Sequence, residues 1–75
     1  MQMTLLNQVR DVWAELLEVD PFKISLQGNF FDLGADSLTV QLAAERLTDV
    51  VGVEVDPIDL YEHPNIAALA QHLER

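Results

Sequence analysis

Apolar residues recur at helical spacing in most of this chain and lose that spacing in one stretch near its middle. From Thr4 to Val19, Leu5, Leu6, Val9, Val12, Trp13, Leu16 and Leu17 share one sector when successive residues turn by about 100°. That spacing predicts an amphipathic helix. Thr4 is suited to cap it, and Asp20-Pro21 closes it because the residue before a proline avoids helical backbone. Between Asp20 and Asp36 the period lapses, although Phe22, Ile24, Leu26, Phe30, Phe31 and Leu33 are apolar and Gly28-Asn29 signals a turn. A loop this long is uncommon in a compact domain unless it has a function. Its aromatic side chains are therefore expected to dock into the core and hold it as a packed structure.

A second helix is predicted from Asp36-Ser37 to Val51, with Gly52 as its stop. A short third begins at Asp56-Pro57, Asp as N-cap and Pro in the first turn, with Ile58, Leu60 and Tyr61 as apolar cover. His63-Pro64-Asn65 breaks the chain, and Ile66, Leu69, Ala70 and Leu73 form the stripe of a last helix. Val53-Glu54-Val55 alternates like a strand but is too short and lacks a pairing segment. The expected fold class is all-α, a helical bundle with one long structured loop, and residues 1–75 form a single domain.

Charge narrows the possible functions. Thirteen Asp and Glu oppose four Lys and Arg, giving a net charge of -9. Nucleic acid and anionic membrane surfaces are excluded, since both require a basic footprint. With 49% hydrophobic residues the acidity does not imply disorder, so a folded domain meeting basic partners is expected. The absence of cysteine removes disulfides, thiolate zinc sites and a cysteine nucleophile, and fits a reducing cytoplasm. Met1-Gln2-Met3-Thr4 lacks the pattern of a signal peptide, and no apolar run approaches the roughly 20 residues of a membrane span. A Met1 this close to the first helix suggests a free-standing protein, although an excised domain with an added Met would look the same. So small a core leaves little interior for an enclosed catalytic pocket.

On the second helix, Val40, Ala43, Ala44, Leu47 and Val51 share the face expected to meet the core. Leu38, Leu42, Glu45 and Asp49 form a row nearly opposite. Scattered surface leucines are ordinary, but this row, placed directly after the loop, also reads as a docking stripe. Ser37 has two readings as well. Serine and aspartate are common N-caps, and capping alone would account for it. A phosphate ester would also be favoured there, by free N–H groups and the positive end of the helix dipole. A hydrolytic nucleophile is poorly supported. The only histidines, His63 and His72, are far from Ser37 in sequence, and the glycine spacing is not G-x-S-x-G. The two histidines also make a poor metal signal without cysteine support, and loop and surface roles are expected of them. Trp13 and Tyr61 are expected in core or rim packing.

The run Asn29-Phe30-Phe31-Asp32-Leu33-Gly34-Ala35-Asp36-Ser37-Leu38 resembles the attachment motif of acyl and peptidyl carrier proteins. Asp59-Leu60-Tyr61-Glu62-His63-Pro64-Asn65-Ile66-Ala67-Ala68-Leu69-Ala70 is similar to their third-loop and last-helix signature, so the resemblance covers almost the whole chain. It implies a four-helix carrier bundle, three main helices plus a short third, with 4′-phosphopantetheine attached to Ser37 as a phosphodiester. A separate phosphopantetheinyl transferase would install the arm from coenzyme A, using magnesium held mainly in its own site. The arm's thiol would carry acyl or aminoacyl cargo as a thioester, so the reactive sulfur belongs to the cofactor. The domain would be no enzyme but a monomeric shuttle. It would be served by a loading enzyme (adenylation or acyltransferase) and by downstream synthase and transferase enzymes.

By the same resemblance Asp36 and Leu38 flank the serine in the partner-recognition region. Phe30, Phe31 and Leu33 become core anchors that aim the loop, and Gly34 supplies a special backbone angle before the helix. Gly-Ala-Asp-Ser-Leu is closer to acyl than to peptidyl carriers. Phe-Phe-Asp-Leu-Gly and Tyr-Glu-His-Pro-Asn-Ile resemble polyketide and nonribosomal peptide systems. One departure stands out. Where the family usually has an apolar residue and then an often acidic one, this chain has Gln41 and Leu42, implying a more apolar docking patch. The competing reading is an unmodified acidic adaptor whose second helix fills a partner's groove.

Overall fold

Four helices form among residues 4–74, which are the residues this computed structural model describes, and no strand occurs among them. The Met1-Gln2-Met3 segment, read above for a leader and for a chain start, lies outside the described residues. The helices are α1 (Leu5–Leu17), α2 (Ser37–Val51), α3 (Pro57–Glu62) and α4 (Ile66–Leu73).

Local chemistry sets most of their ends. Thr4 accepts the Asn7 N–H at 3.2 Å, Asp36 accepts the Thr39 N–H at 2.9 Å, and Asn65 accepts the Ala68 N–H at 2.7 Å. Each satisfies a first-turn donor that has no partner within its helix. At α3, Asp59 reaches back to the Asp56 N–H at 3.0 Å, and Pro57 needs no donor in the first turn. Gly52 closes α2 with φ 86°.

Helix α1 ends earlier than its sequence predicts, at Leu17 rather than Val19, and Asp20-Pro21 does not close it. Glu18 adopts the left-handed conformation (φ 59°), and the Val19 N–H turns back to the Ala14 carbonyl at 3.0 Å. This is a Schellman-type stop built on glutamate instead of the usual glycine.

The core takes one stripe from each helix. Val9, Val12 and Trp13 of α1 cluster with Val40, Ala43, Ala44 and Leu47 of α2, as the wheel predicts, and with Leu60 of α3 and Ile66, Leu69 and Ala70 of α4; Ala14, outside the predicted sector, is buried as well. Val51 is only half-buried. Helix α1 packs on both α2 and α4, while α3 packs on α2. Val53-Glu54-Val55 forms no strand. Instead Val55 is buried, and its N–H donates to Thr48 Oγ1 at 2.9 Å, which ties the α2–α3 connection to α2.

The long loop is packed, but by fewer anchors than expected. Phe30 is fully buried and stacks on Trp13 with centroids 3.8 Å apart. Its N–H donates to the Pro64 carbonyl at 2.8 Å, and the Ala67 N–H donates to the Leu26 carbonyl at 3.0 Å. The loop is thereby stitched to the entrance of α4. Phe22, by contrast, is 84% exposed, with the Arg10 guanidinium 5.1 Å from its ring centre. Leu33 and Ile58 are also exposed, so the expectation that they serve as core anchor and cover is corrected, whereas Tyr61, half-exposed, packs at the rim on Phe31. Leu33 and Phe22 belong to turns whose backbone bonds aim them outward. The core face of six-residue α3 is wide enough for Leu60 alone.

Candidate functional site

Ser37 is the first residue of α2, and its side chain is exposed. Its position is set by the four residues before it. The Leu33 N–H donates to the Asn29 and Phe30 carbonyls, and the Ala35 N–H donates to the Phe30 carbonyl at 3.0 Å, so this turn hangs on the buried Phe30 ring. Ala35 is itself buried. Gly34 has φ 112°, a value that side-chain-bearing residues rarely adopt, and it turns the chain outward just before the helix. Phe31 extends the support. Its ring stacks on Tyr61 of α3, centroids 5.3 Å apart, and its N–H donates to Asn29 Oδ1 at 2.8 Å.

At the helix start Asp36 Oδ1 accepts both the Thr39 N–H and the Thr39 hydroxyl, each at 2.9 Å. These bonds, the backbone one foremost, hold the Asp36 carboxyl below the ordinary aspartate value of 3.8. Asp36 therefore caps the helix as a carboxylate. The Val40 N–H bonds the Asp36 carbonyl and the Leu38 N–H is directed at the Asp36 carboxylate, so the Ser37 N–H comes ahead of the helical ladder and is available to an anion. An exposed hydroxyl beside an available donor and the dipole end of a fifteen-residue helix fits a phosphodiester.

The row predicted on α2 is exposed as expected. Leu38 and Leu42 are 63% and 44% exposed, and Glu45 and Asp49 lie beyond them on the surface. The sequence reading missed how this row continues. A cleft of about 580 Å³ between α2 and the α3 entrance is lined by Glu45, Asp49, Glu54 and Asp56, gathering four carboxylates at one surface. Only the overall acidity pointed that way.

The two histidines, far from Ser37 in sequence, meet each other. The His63 and His72 rings stack 4.1 Å apart, and His72 Nε2 lies 3.2 Å from Asp59 Oδ1. This joins α3 to α4. Among the described residues no group of three potential ligands could hold a metal ion, and no helix is long and apolar enough to cross a membrane.

Residues 7–73 match the family described as "Phosphopantetheine attachment site". The chain is similar to one of the linear gramicidin synthase proteins of Brevibacillus parabrevis, 40% identical over 68 residues, which is 91% of this chain and 1% of that protein. It is also similar to malformin synthetase mlfA of Aspergillus vadensis, 33% identical over 67 residues, 89% of this chain and 1% of that protein. The chain thus spans about 1% of the length of these relatives. Among solved structures it resembles a free-standing peptidyl carrier protein from an Acinetobacter baumannii secondary metabolic pathway. That likeness has TM-score 0.86 and 28% identity, covering 93% of this chain and 88% of that one. The adenylation–carrier protein McyG A-PCP, in complex with phenylalanyl-adenylate, matches with TM-score 0.85 and 26% identity over 96% of this chain and 11% of that one.

Proposed function

The chain belongs to the phosphopantetheine-attachment-site family, and from that premise we propose that Ser37 is the residue that bears the arm. The domain is a carrier, not an enzyme, and carriers of this family hold 4′-phosphopantetheine covalently. When bound, the arm supplies a thiol on which acyl or aminoacyl groups travel as thioesters. Ser37 offers the hydroxyl, the positive end of the α2 dipole would favour a phosphodiester there, and Phe30 holds the approach to the helix still. The observation that carries the assignment is an exposed serine hydroxyl at the first position of α2, at the end of a loop anchored by a buried ring.

Carrier domains of this family work with adenylation and other synthetase partners. For this chain, Asp36, Leu38, Leu42, Glu45 and Asp49 form the docking face. Its partners are a phosphopantetheinyl transferase, an adenylation or acyltransferase loading enzyme, and downstream enzymes of nonribosomal peptide or polyketide assembly. The domain works in the cytoplasm as a monomer, and 1–75 is one folding unit. Support comes from the exposure of that row and from the likeness to synthetase carriers. Intact-mass measurement after incubation with coenzyme A and a broad-specificity transferase tests the assignment. A gain of one phosphopantetheine, lost in Ser37→Ala, is expected. An unmodified mass would sink it and favour an adaptor that needs no arm.

A further inference from the structure

Asp36 is held more tightly than a helix cap requires. At the starts of α1 and α4, Thr4 and Asn65 each accept a single N–H, from Asn7 and Ala68. Asp36 accepts two donors from one residue, the Thr39 N–H and the Thr39 hydroxyl, and both fall on Oδ1 at 2.9 Å. The N–H bond alone satisfies the helix. The hydroxyl bond is additional, and it comes from a half-buried residue within α2, next to buried Val40. Two bonds converging from one helical residue fix the torsions of the carboxylate, and Oδ2 takes part in neither. Among the described residues no cationic side chain pairs with Asp36, so its charge is left for a partner.

We propose that Thr39 is a positioning residue for the loading of Ser37, its hydroxyl holding the Asp36 carboxylate ready for a cationic group of the phosphopantetheinyl transferase. The inference rests on Ser37 bearing the arm. In that reaction Ser37 Oγ bonds to the phosphorus of coenzyme A that carries the pantetheine. The pyrophosphate bond breaks, adenosine 3′,5′-bisphosphate departs with its electron pair, and the hydroxyl proton passes to a base of the transferase. Phosphoryl transfer depends on cations that offset the charge of the phosphates, so the transferase must bring cationic groups to Ser37. The Cα atoms of Asp36 and Ser37 are about 3.8 Å apart, which puts the carboxylate where those cations arrive. Holding it in advance removes part of the ordering cost of that contact. The Thr39 N–H, and after it the hydroxyl, also keep the carboxyl below the ordinary 3.8. Asp36 is thereby a poor proton acceptor and a persistent anion, suited to a charge contact rather than to general-base work.

Initial rates of phosphopantetheine transfer from coenzyme A, read by intact mass with a broad-specificity transferase, provide the test. Thr39→Val keeps the side-chain shape and the N–H bond but removes the hydroxyl, and it should lower kcat/KM about three- to tenfold. Thr39→Ser should restore the wild-type rate. Asp36→Asn keeps a capping oxygen and removes the charge, and it should lose at least as much. Adding Thr39→Val to Asp36→Asn should lose little more, because no charge is left to hold. Carbon-13 NMR of the Asp36 carboxyl in Thr39→Val should show it titrating nearer 3.8 than in the wild type. Wild-type rates in Thr39→Val or Asp36→Asn, no rescue by serine, or losses that add in the double variant would overturn the proposal while leaving Ser37 as the attachment point. A wild-type chain that gains no phosphopantetheine would overturn the premise as well, and the mass spectrum tells the two failures apart.

Discussion

Phe22 and Phe30 belong to the same loop, and replacing each with alanine should separate them sharply. Phe30 is fully buried and stacks on Trp13 at 3.8 Å. Truncating such a ring costs about 3–5 kcal/mol, including the lost aromatic pairing. A chain of 75 residues has about 4–11 kcal/mol in total. Phe30→Ala should therefore lose much of the stability and lower the melting temperature by about 12 °C or more. Phe22 is 84% exposed, and its clearest contact is Arg10, 5.1 Å from the ring centre. An exposed cation–π contact contributes about 0.5–1 kcal/mol, so Phe22→Ala should cost less than 1 kcal/mol. Urea denaturation followed by circular dichroism measures both. Phe30→Leu serves as a milder variant should the alanine protein be largely unfolded. Equal losses at the two positions, or a loss below about 1 kcal/mol for Phe30→Ala, would refute the claim that Phe30, and not Phe22, anchors the loop.

Three other outcomes follow from the site. Asp36 has its folded-state pKa lowered by Thr39, so its contribution is complete above the ordinary value of 3.8 and fades as pH falls through the lower folded value; acid titration of Asp36→Ala should lack that part of the wild-type stability loss. Leu42→Glu, at a 44% exposed position, should change stability by less than about 0.5 kcal/mol. It should slow transfer by the cognate loading enzyme yet leave phosphopantetheinylation near wild type, and unchanged loading kinetics would remove Leu42 from the docking face. At Gly34 an added Cβ meets nothing within 4 Å, so Gly34→Ala isolates the backbone strain at φ 112°; calorimetry should find about 1–3 kcal/mol.

Helix α2 was readable to the residue because Asp36 and Gly52 stand directly beside its apolar period. Ser37 and its exposed row came with it. The end of α1 was not, since the left-handed stop falls on Glu18, a residue type that carries no signal for that conformation. Nor could the pattern rank the loop's rings. Without a period, Phe22 and Phe30 look alike, and the difference lies in distant partners, Trp13 and the Pro64 carbonyl. The His63–His72 stack and the Phe31–Tyr61 stack are tertiary for the same reason. So is the gathering of Glu54 and Asp56 with the α2 acids, which depends on how Thr48 holds the α2–α3 connection.

The two backbone bonds between the loop and the entrance of α4 also bear on how the molecule opens. Eight residues are too few for a helix to persist alone in water. Two of the first-turn donors of α4 are satisfied by the Asn65 side chain and by the Leu26 carbonyl, and the second acceptor belongs to the loop. Loop and helix should then unravel as one cooperative unit. Amide exchange at Phe30 and Ala67 would report a single opening event with a common denaturant dependence. The C-terminal helix would in that way sense the order of the segment that presents Ser37, although the two are remote along the chain.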